Sequence, residues 1–190
     1  MPFEKIFMNI SLLDVESPAE EFESCTFTQC DFSEAKLSKL KFIDCEFLEC
    51  NLSNATLDNT ALQNVSFIGC KLLGVHFEHA NPFGIQLSFS ESLLDHSSFY
   101  QMKLPGVKFN SCRLHFVDFT EALLKNAAFE MCNLTGAIFY HTNLEKADFR
   151  TSESYSMNPE ENTIKGSSFS QSGISGLLDK YGLNIESFLS

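Results

Sequence analysis

One periodicity governs this chain. Taking every fifth residue from Phe22 gives Phe22, Phe27, Phe32, Leu37, Phe42, Phe47, Leu52, Leu57, Leu62, Phe67, Leu72 and Phe77, all of them Phe or Leu. The register slips by two between Phe77 and Phe89. It then resumes as Phe89, Leu94, Phe99, Leu104, Phe109, Leu114, Phe119, Leu124, Phe129, Leu134, Phe139, Leu144 and Phe149. A step of five fits neither the 3.6 of an amphipathic helix nor the 2.0 of a half-buried strand. It fits a solenoid that sends one large side chain inward from each short side. Composition agrees: the 190 residues, a length suited to one domain, hold 20 Phe, four Tyr and no Trp.

A second inward position lies two residues before each large one. It is small or medium at Cys25, Cys30, Ala35, Cys45, Cys50, Ala55, Thr60, Val65, Cys70, Val75 and Ala80, then Cys112, Val117, Ala122, Ala127, Cys132, Ala137, Thr142 and Ala147. Alternating one large and one small group lets neighbouring sides interdigitate at interior density. The other three positions of each five are mostly polar and face water. Cys30, Cys50 and Cys70 are 20 apart, as are Cys25 and Cys45, and Cys112 and Cys132. Stacked coils of 20 residues place like residues on like, and six or so coils spaced by about 4.8 Å make a rod of roughly 30 Å.

The segments "CDFSE", "CEFLE", "ADFRT" and "TNLEK" resemble the pentapeptide repeat family over residues 22–77 and 89–149. The resemblance implies an all-β fold, a right-handed quadrilateral parallel β-helix with four pentapeptides per coil. The C-terminal "LLDKYGLNIE" and the opening "CTFTQCDFSEAKLSKLKFIDCEF" are similar to the Qnr-type, topoisomerase-protecting branch. That likeness implies a bacterial, cytoplasmic protein that binds DNA gyrase or another type II topoisomerase, confers antibiotic resistance and forms a homodimer through its C-terminal helix. "CEFLECNL" and "FYQMKLPGVKFNSC" run through without the projecting loops of that branch.

Punctuation divides the chain further. Residues 1–21 form an N-terminal cap or a partial coil. Ser17-Pro18-Ala19-Glu20-Glu21 carries helix-start signals, whereas Phe7 and Leu12 continue the fivefold register. Residues 78–88 are a register break at which a bend is expected, because Pro82 cannot donate a ladder bond and Gly84 accepts positive φ. The second run, 89–151, is followed by a loop at 152–163 and a last partial coil at 164–174. Residues 175–190 predict a short helix stopped by Gly182, with an extended tail. Part of it plugs the last coil or pairs with a second copy, and Leu177, Leu178, Tyr181, Leu183 and Phe188 are the candidate dimer residues.

Catalytic and metal chemistry finds no foothold. All seven cysteines fall on the small inward position, where free Cys packs as a small hydrophobe. His76 and His79 lack converging ligands, and a filled rod offers no cleft to desolvate a carboxyl group. No enzyme activity, metal or cofactor is expected. Membrane-length apolar stretches and a secretory leader are not expected either.

Charge is the remaining feature. The formal net charge is -12, with 13 acids and 5 bases in residues 1–80 and 12 and 8 in residues 81–190. Direct nucleic-acid binding is disfavoured. A slender acidic rod can instead occupy a basic DNA-binding saddle in place of DNA. The outward carboxylates Asp31, Glu34, Asp44, Glu46, Glu49, Asp58, Asp118, Glu121, Glu130, Glu145 and Asp148 are the candidate partner-binding residues. Lys103, Lys125 and Lys146, about 20 apart, predict one less negative side. The alternative is an interaction scaffold for an unrelated protein, using outward apolar groups such as Ile43, Leu48, Ile68, Leu73, Tyr100, Phe116, Ile138 and Tyr140 gathered in a patch.

Overall fold

The computed structural model describes residues 2–11 and 21–185. Over these the chain winds as a four-sided parallel β-helix of about 20 residues per turn, with Phe7, Phe27, Phe47 and Phe67 in register on successive turns. Residues 21–25 and their equivalents make face 1, 26–30 face 2, 31–35 face 3 and 36–40 face 4.

The strands are short, in chain order β1 (Ile6–Met8), β2 (Glu21–Glu23), β3 (Thr26–Thr28), β4 (Lys41–Ile43), β5 (Glu46–Leu48), β6 (Ala61–Gln63) and β7 (Val65–Ile68). They continue as β8 (Leu87–Ser90), β9 (Lys108–Asn110), β10 (Ala128–Glu130), β11 (Asp148–Phe149) and β12 (Ser168–Phe169). Face 2 is one nine-stranded sheet, β1-β3-β5-β7-β8-β9-β10-β11-β12, and face 1 opens with β2-β4-β6. Faces 3 and 4 are held by single bridges, such as Asp31 to Asn51 and Ser98 to Asp118. Nine levels at about 4.8 Å span about 38 Å. This exceeds the expected six coils because the register reaches back to Phe7 and on to Phe169.

Strands end because the chain turns at nearly every fourth residue of a pentapeptide, in the left-handed region: Ser24, Gln29, Glu34 and Lys39 all have φ between 51° and 65°. That conformation is costly for a side-chain-bearing residue. It persists because most corner N–H groups are fixed by the next turn, as Glu34 N–H donates to Ser53 O at 2.8 Å and Glu49 N–H to Ile68 O at 2.8 Å.

Inside, nine Phe rings stack along face 2 from Phe7 to Phe169, with adjacent centroids 4.6–5.4 Å apart. Phe77, Phe99, Phe119 and Phe139 stack likewise on face 4. The two columns meet edge to face, as Phe109 does Phe119 at 5.8 Å, an arrangement favoured by the ring quadrupoles. The small inward groups also hydrogen-bond. Cys50 and Cys70 thiols donate to Phe27 O and Phe47 O at 3.2 Å, and Thr60, Thr142 and Ser152 hydroxyls donate to Leu37 O, Phe119 O and Phe129 O. Each ties a small side chain to the carbonyl of the large residue one turn back.

At the break the ladder of face 2 passes unbroken, Phe67 pairing with Phe89 at an offset of 22. The extra residues are absorbed on face 1. There the bridges run Lys41, Ala61, Asn81, then stop and resume as Lys103, Leu123, Asn143, Thr163.

Both ends differ from a helical expectation. Residues 3–11 form a partial coil, bridged through Phe3 to Glu23 and Ser11 to Asp31. Glu21 opens β2 rather than a helix, and the rest of the Ser17–Glu21 start signal lies outside the described residues. The C-terminal element is two 3₁₀ turns, Ile174–Leu177 and Asp179–Tyr181, not one continuous helix. The glycine that fits the tight seat explains this: a Cβ on Gly176 would lie 2.0 Å from the Tyr155 carbonyl oxygen, so the chain lies flat across the last turn.

Phe119 is fully buried at the crossing of both Phe columns. Phe119→Ala is expected to lower stability by about 3–5 kcal/mol in urea unfolding, and the exposed Glu121→Lys by less than about 0.5 kcal/mol. Comparable losses for the two would overturn the assigned register.

Candidate interaction surface

A rod filled to its axis leaves only its four faces and two ends for function. The fivefold register decides which face each side chain joins, and the candidate carboxylates divide among all four. Asp44 and Glu145 stand on face 1, Glu46, Glu49, Glu130 and Asp148 on face 2, Asp31 and Glu34 on face 3, and Asp58, Asp118 and Glu121 on face 4. All are exposed except Asp118, Glu145 and Asp148, which are half-buried.

Several are engaged by their neighbours one turn away. Glu49 accepts from Gln29 at 2.8 Å, Asp44 from Asn64 at 2.6 Å and Glu121 from Gln101 at 2.8 Å. Lys125 bonds Glu145 at 3.1 Å and Arg150 grips Asp148 in a fork. These bonds hold the Glu145 and Asp148 carboxyls below the usual carboxylate range, and Ser33 does the same for Asp31. Their charge therefore survives to lower pH than that of a free carboxylate.

Charge is uneven around the rod. Face 4 carries Asp58, Glu78, Asp118, Glu121, Glu160 and Glu161 against Lys36 and Lys39. Face 2 carries Glu46, Glu49, Glu91, Glu130 and Asp148 against Lys108 and Arg150. Face 1 reverses sign in its second half, where Lys103, Lys125, Lys146 and Lys165 surround Glu145. The less negative side expected from Lys103, Lys125 and Lys146 is thus joined by Lys165. Lys165 lies two 20-residue turns beyond Lys125, so the unslipped register of the second run locates it.

Of the outward apolar residues, Ile68, Tyr100, Phe116, Ile138 and Tyr140 are exposed, whereas Ile43, Leu48 and Leu73 are half-buried along the ladders. Tyr100, Ile138 and Tyr140 share face 4 with Asp118 and Glu121. Phe116 sits at its edge, lying over the His96 ring at 5.1 Å. The next turn makes room with Gly136, where a Cβ would come within 2.5 Å of the Phe116 ring. Along the faces the sequence did not mark the exposed Phe83 (80%), Met131 and Leu123, nor, at the ends, Phe3, Ile6, Met8, Ile174 and Ile185. Phe83 belongs to the break, where the fivefold rule assigns no direction.

At the C-terminal end Leu177 packs against the core and Leu178 is half-buried. Tyr181 OH donates to Glu160 at 3.0 Å and Lys180 pairs with the same carboxylate. Leu183, Ile174 and Ile185 remain more than half exposed. Phe188 lies outside the described residues.

His76 and His79 are exposed and stack on each other, with His76 Nδ1 2.9 Å from Glu78. Among the described residues no group of three or more ligating side chains gathers, and no helix is long and apolar enough to cross a membrane.

The family model for a pentapeptide repeat region matches residues 20–99 and 85–169. The chain belongs to the pentapeptide repeat family. No curated protein matches it. Among solved structures, two trypsin-treated variants of QnrB1, a plasmid-mediated fluoroquinolone resistance protein, share its fold. One is 17% identical with a TM-score of 0.65, covering 97% of this chain and 99% of that one. The other is 18% identical with a TM-score of 0.64, covering 98% and 100%. A pentapeptide repeat protein from the Arabidopsis thaliana thylakoid lumen is 30% identical over 51% of this chain and 59% of its own, with a TM-score of 0.36.

In this pentapeptide repeat rod all seven cysteines are free and buried. Burial pushes the Cys45 thiol up to about 11 and raises Cys30, which starves both of the reactive thiolate. Ellman's reagent at pH 8 is expected to find none of the seven in the native protein and all of them in guanidinium. Rapid labelling of the native protein would contradict this packing.

Proposed function

We propose that this protein is a non-enzymatic, cytoplasmic DNA mimic that binds a type II topoisomerase such as DNA gyrase, protecting or modulating it. The observation that carries this reading is the run of carboxylates along face 4, on a rod whose fold matches QnrB1 from end to end. Rows of fixed negative charge on a stiff, slender body complement a basic saddle and speed encounter with it. Asp118 and Glu121 stand near the middle of that face, and Asp58, Glu160 and Glu161 extend it in both directions. The remaining candidates on faces 2 and 3 widen the acidic sector, and Asp44 and Glu145, on face 1, are the most peripheral of the set.

The test is gyrase supercoiling with purified protein titrated in, with and without a fluoroquinolone, at low and moderate salt. Inhibition or protection should weaken with salt and fall about tenfold, or about 1.4 kcal/mol, for Asp118→Lys with Glu121→Lys. No effect at micromolar protein, or an unchanged effect of the double variant, would remove the mimic.

Tyr100, Ile138 and Tyr140 on the same face favour a second reading, a scaffold for an unrelated protein partner. Binding through them would resist salt and be lost in Ile138→Ser with Tyr140→Ser.

The exposed Ile174, Leu183 and Ile185 support a homodimer through the C-terminal element, with Leu177 and Leu178 seating the element and Tyr181 clasping Glu160. Leu183→Glu with Ile185→Glu is expected to halve the mass found by light scattering. An unchanged mass would leave the tail as a plug of its own rod.

A further inference from the structure

The break in face 1 leaves more than a kink. Elsewhere, the first residue of this face donates its N–H to the last residue of face 4 one turn back: Ala61 to Leu40, Asn81 to Thr60, Leu123 to Met102, Asn143 to Ala122 and Thr163 to Thr142, all at 2.8–3.0 Å. Among the described residues the corresponding bond, Lys103 N–H to Ala80 O, is not made. A backbone donor and a backbone acceptor at this hollow are thereby left without the partner that they have on the other turns. Two hollows open at this point, on either side of the half-buried Ile85. One, of about 350 Å³, lies between Pro82 and Met102 and includes Ala80 and Lys103 in its wall. The other, of about 450 Å³, runs between Gly84 and Lys108. Glu78, whose carboxylate bonds His76, closes the rim of the first hollow.

Charge says what fits. Lys103 and Lys108 border the hollows without an ion pair among the described residues, and Lys146 and Lys165 continue the same side. Among the described residues, Lys125 is the one lysine of the second half of face 1 that is paired, with Glu145. On a chain of net charge -12 a basic strip is not a solubility device. It is the complement of an anion.

We propose that the face 1 break is a docking groove for an extended acidic peptide segment of a partner protein. The peptide backbone accepts from Lys103 N–H and donates to Ala80 O, using the main-chain groups that strand addition uses. An apolar side chain seats between Pro82, Ile85 and Met102, and the flanking carboxylates meet Lys103 and Lys108. The first hollow borders face 4 through Glu78, Tyr100 and Gln101, but Asp118 and Glu121 line neither hollow, so the groove is tested apart from the topoisomerase reading.

The probe is a fluorescein-labelled synthetic peptide, Glu-Val-Glu-Phe-Glu-Val-Glu, followed by anisotropy on the full chain. Saturable binding is expected, weakened at least about tenfold by Lys103→Glu with Lys108→Glu. Lys39→Glu with Lys71→Glu changes net charge by the same amount on faces 4 and 3 and should leave affinity within about twofold. The same peptide with alternate backbone nitrogens methylated should not bind the unaltered protein, a result that does not depend on the folding of any variant. Absence of saturable binding, equal losses in the two lysine pairs, undiminished binding of the methylated peptide, or equal competition by a single-stranded oligonucleotide would each overturn the groove. Asp118→Lys with Glu121→Lys, which tests face 4, should leave peptide binding intact.

Discussion

Two inward side chains per pentapeptide, one large and one small, set every other dimension of this rod. The large ones form columns of rings at the spacing of hydrogen-bonded strands, so aromatic stacking and the backbone ladder reinforce one another instead of competing for distance. The small ones leave room for those rings and give their thiol or hydroxyl hydrogen to the carbonyl of the turn before. With the interior settled in this way, corners have to fall at the fourth residue. Left-handed backbone at Glu, Lys, Met and even Phe116 is then tolerated because the next turn pins most corner N–H groups.

That interior leaves chemistry to the surface. Among the described residues no cleft reaches the axis, the cysteines are enclosed, and the charged groups stand in rows whose sign depends on the face. Sorting by face changes the meaning of the net charge. The -12 of the sequence is an acidic sector on faces 2–4 and a basic strip on the second half of face 1. A partner approaching from one side meets a different molecule from a partner approaching from the other.

Most of the fold was legible because the period is strict: Phe27 predicts Phe47, and Phe99 predicts Phe119. The register also placed Asp118 and Glu121 on one face. It could not convey the ends or the break, where the physics changes from repetition to termination. Ser17 to Glu21 carries helix signals, yet Glu21 enters a strand because Lys41 already offers a ladder above it. The tail shortens into 3₁₀ turns because it must lie across Tyr155 in the last turn. Thiol donation by Cys50 and Cys70 was also hidden, since a cysteine between apolar neighbours gives no sign of its carbonyl partner. Ser92, in the same column and hydrogen-bonded to Ser90 O and Phe67 O, was the hint that a donor mattered there.

The interrupted ladder on face 1 also bears on how the rod comes apart. A solenoid in which each turn touches only its neighbours opens from its ends by successive release of turns, and a front of opening advances as long as each interface is as strong as the last. Between Asn81 and Lys103 one of the four seams is missing while the Phe67–Phe89 stack on face 2 persists. Amide exchange should therefore report two blocks of different protection meeting near residue 82, with face 2 as the hinge that holds them in line after the other seams have parted.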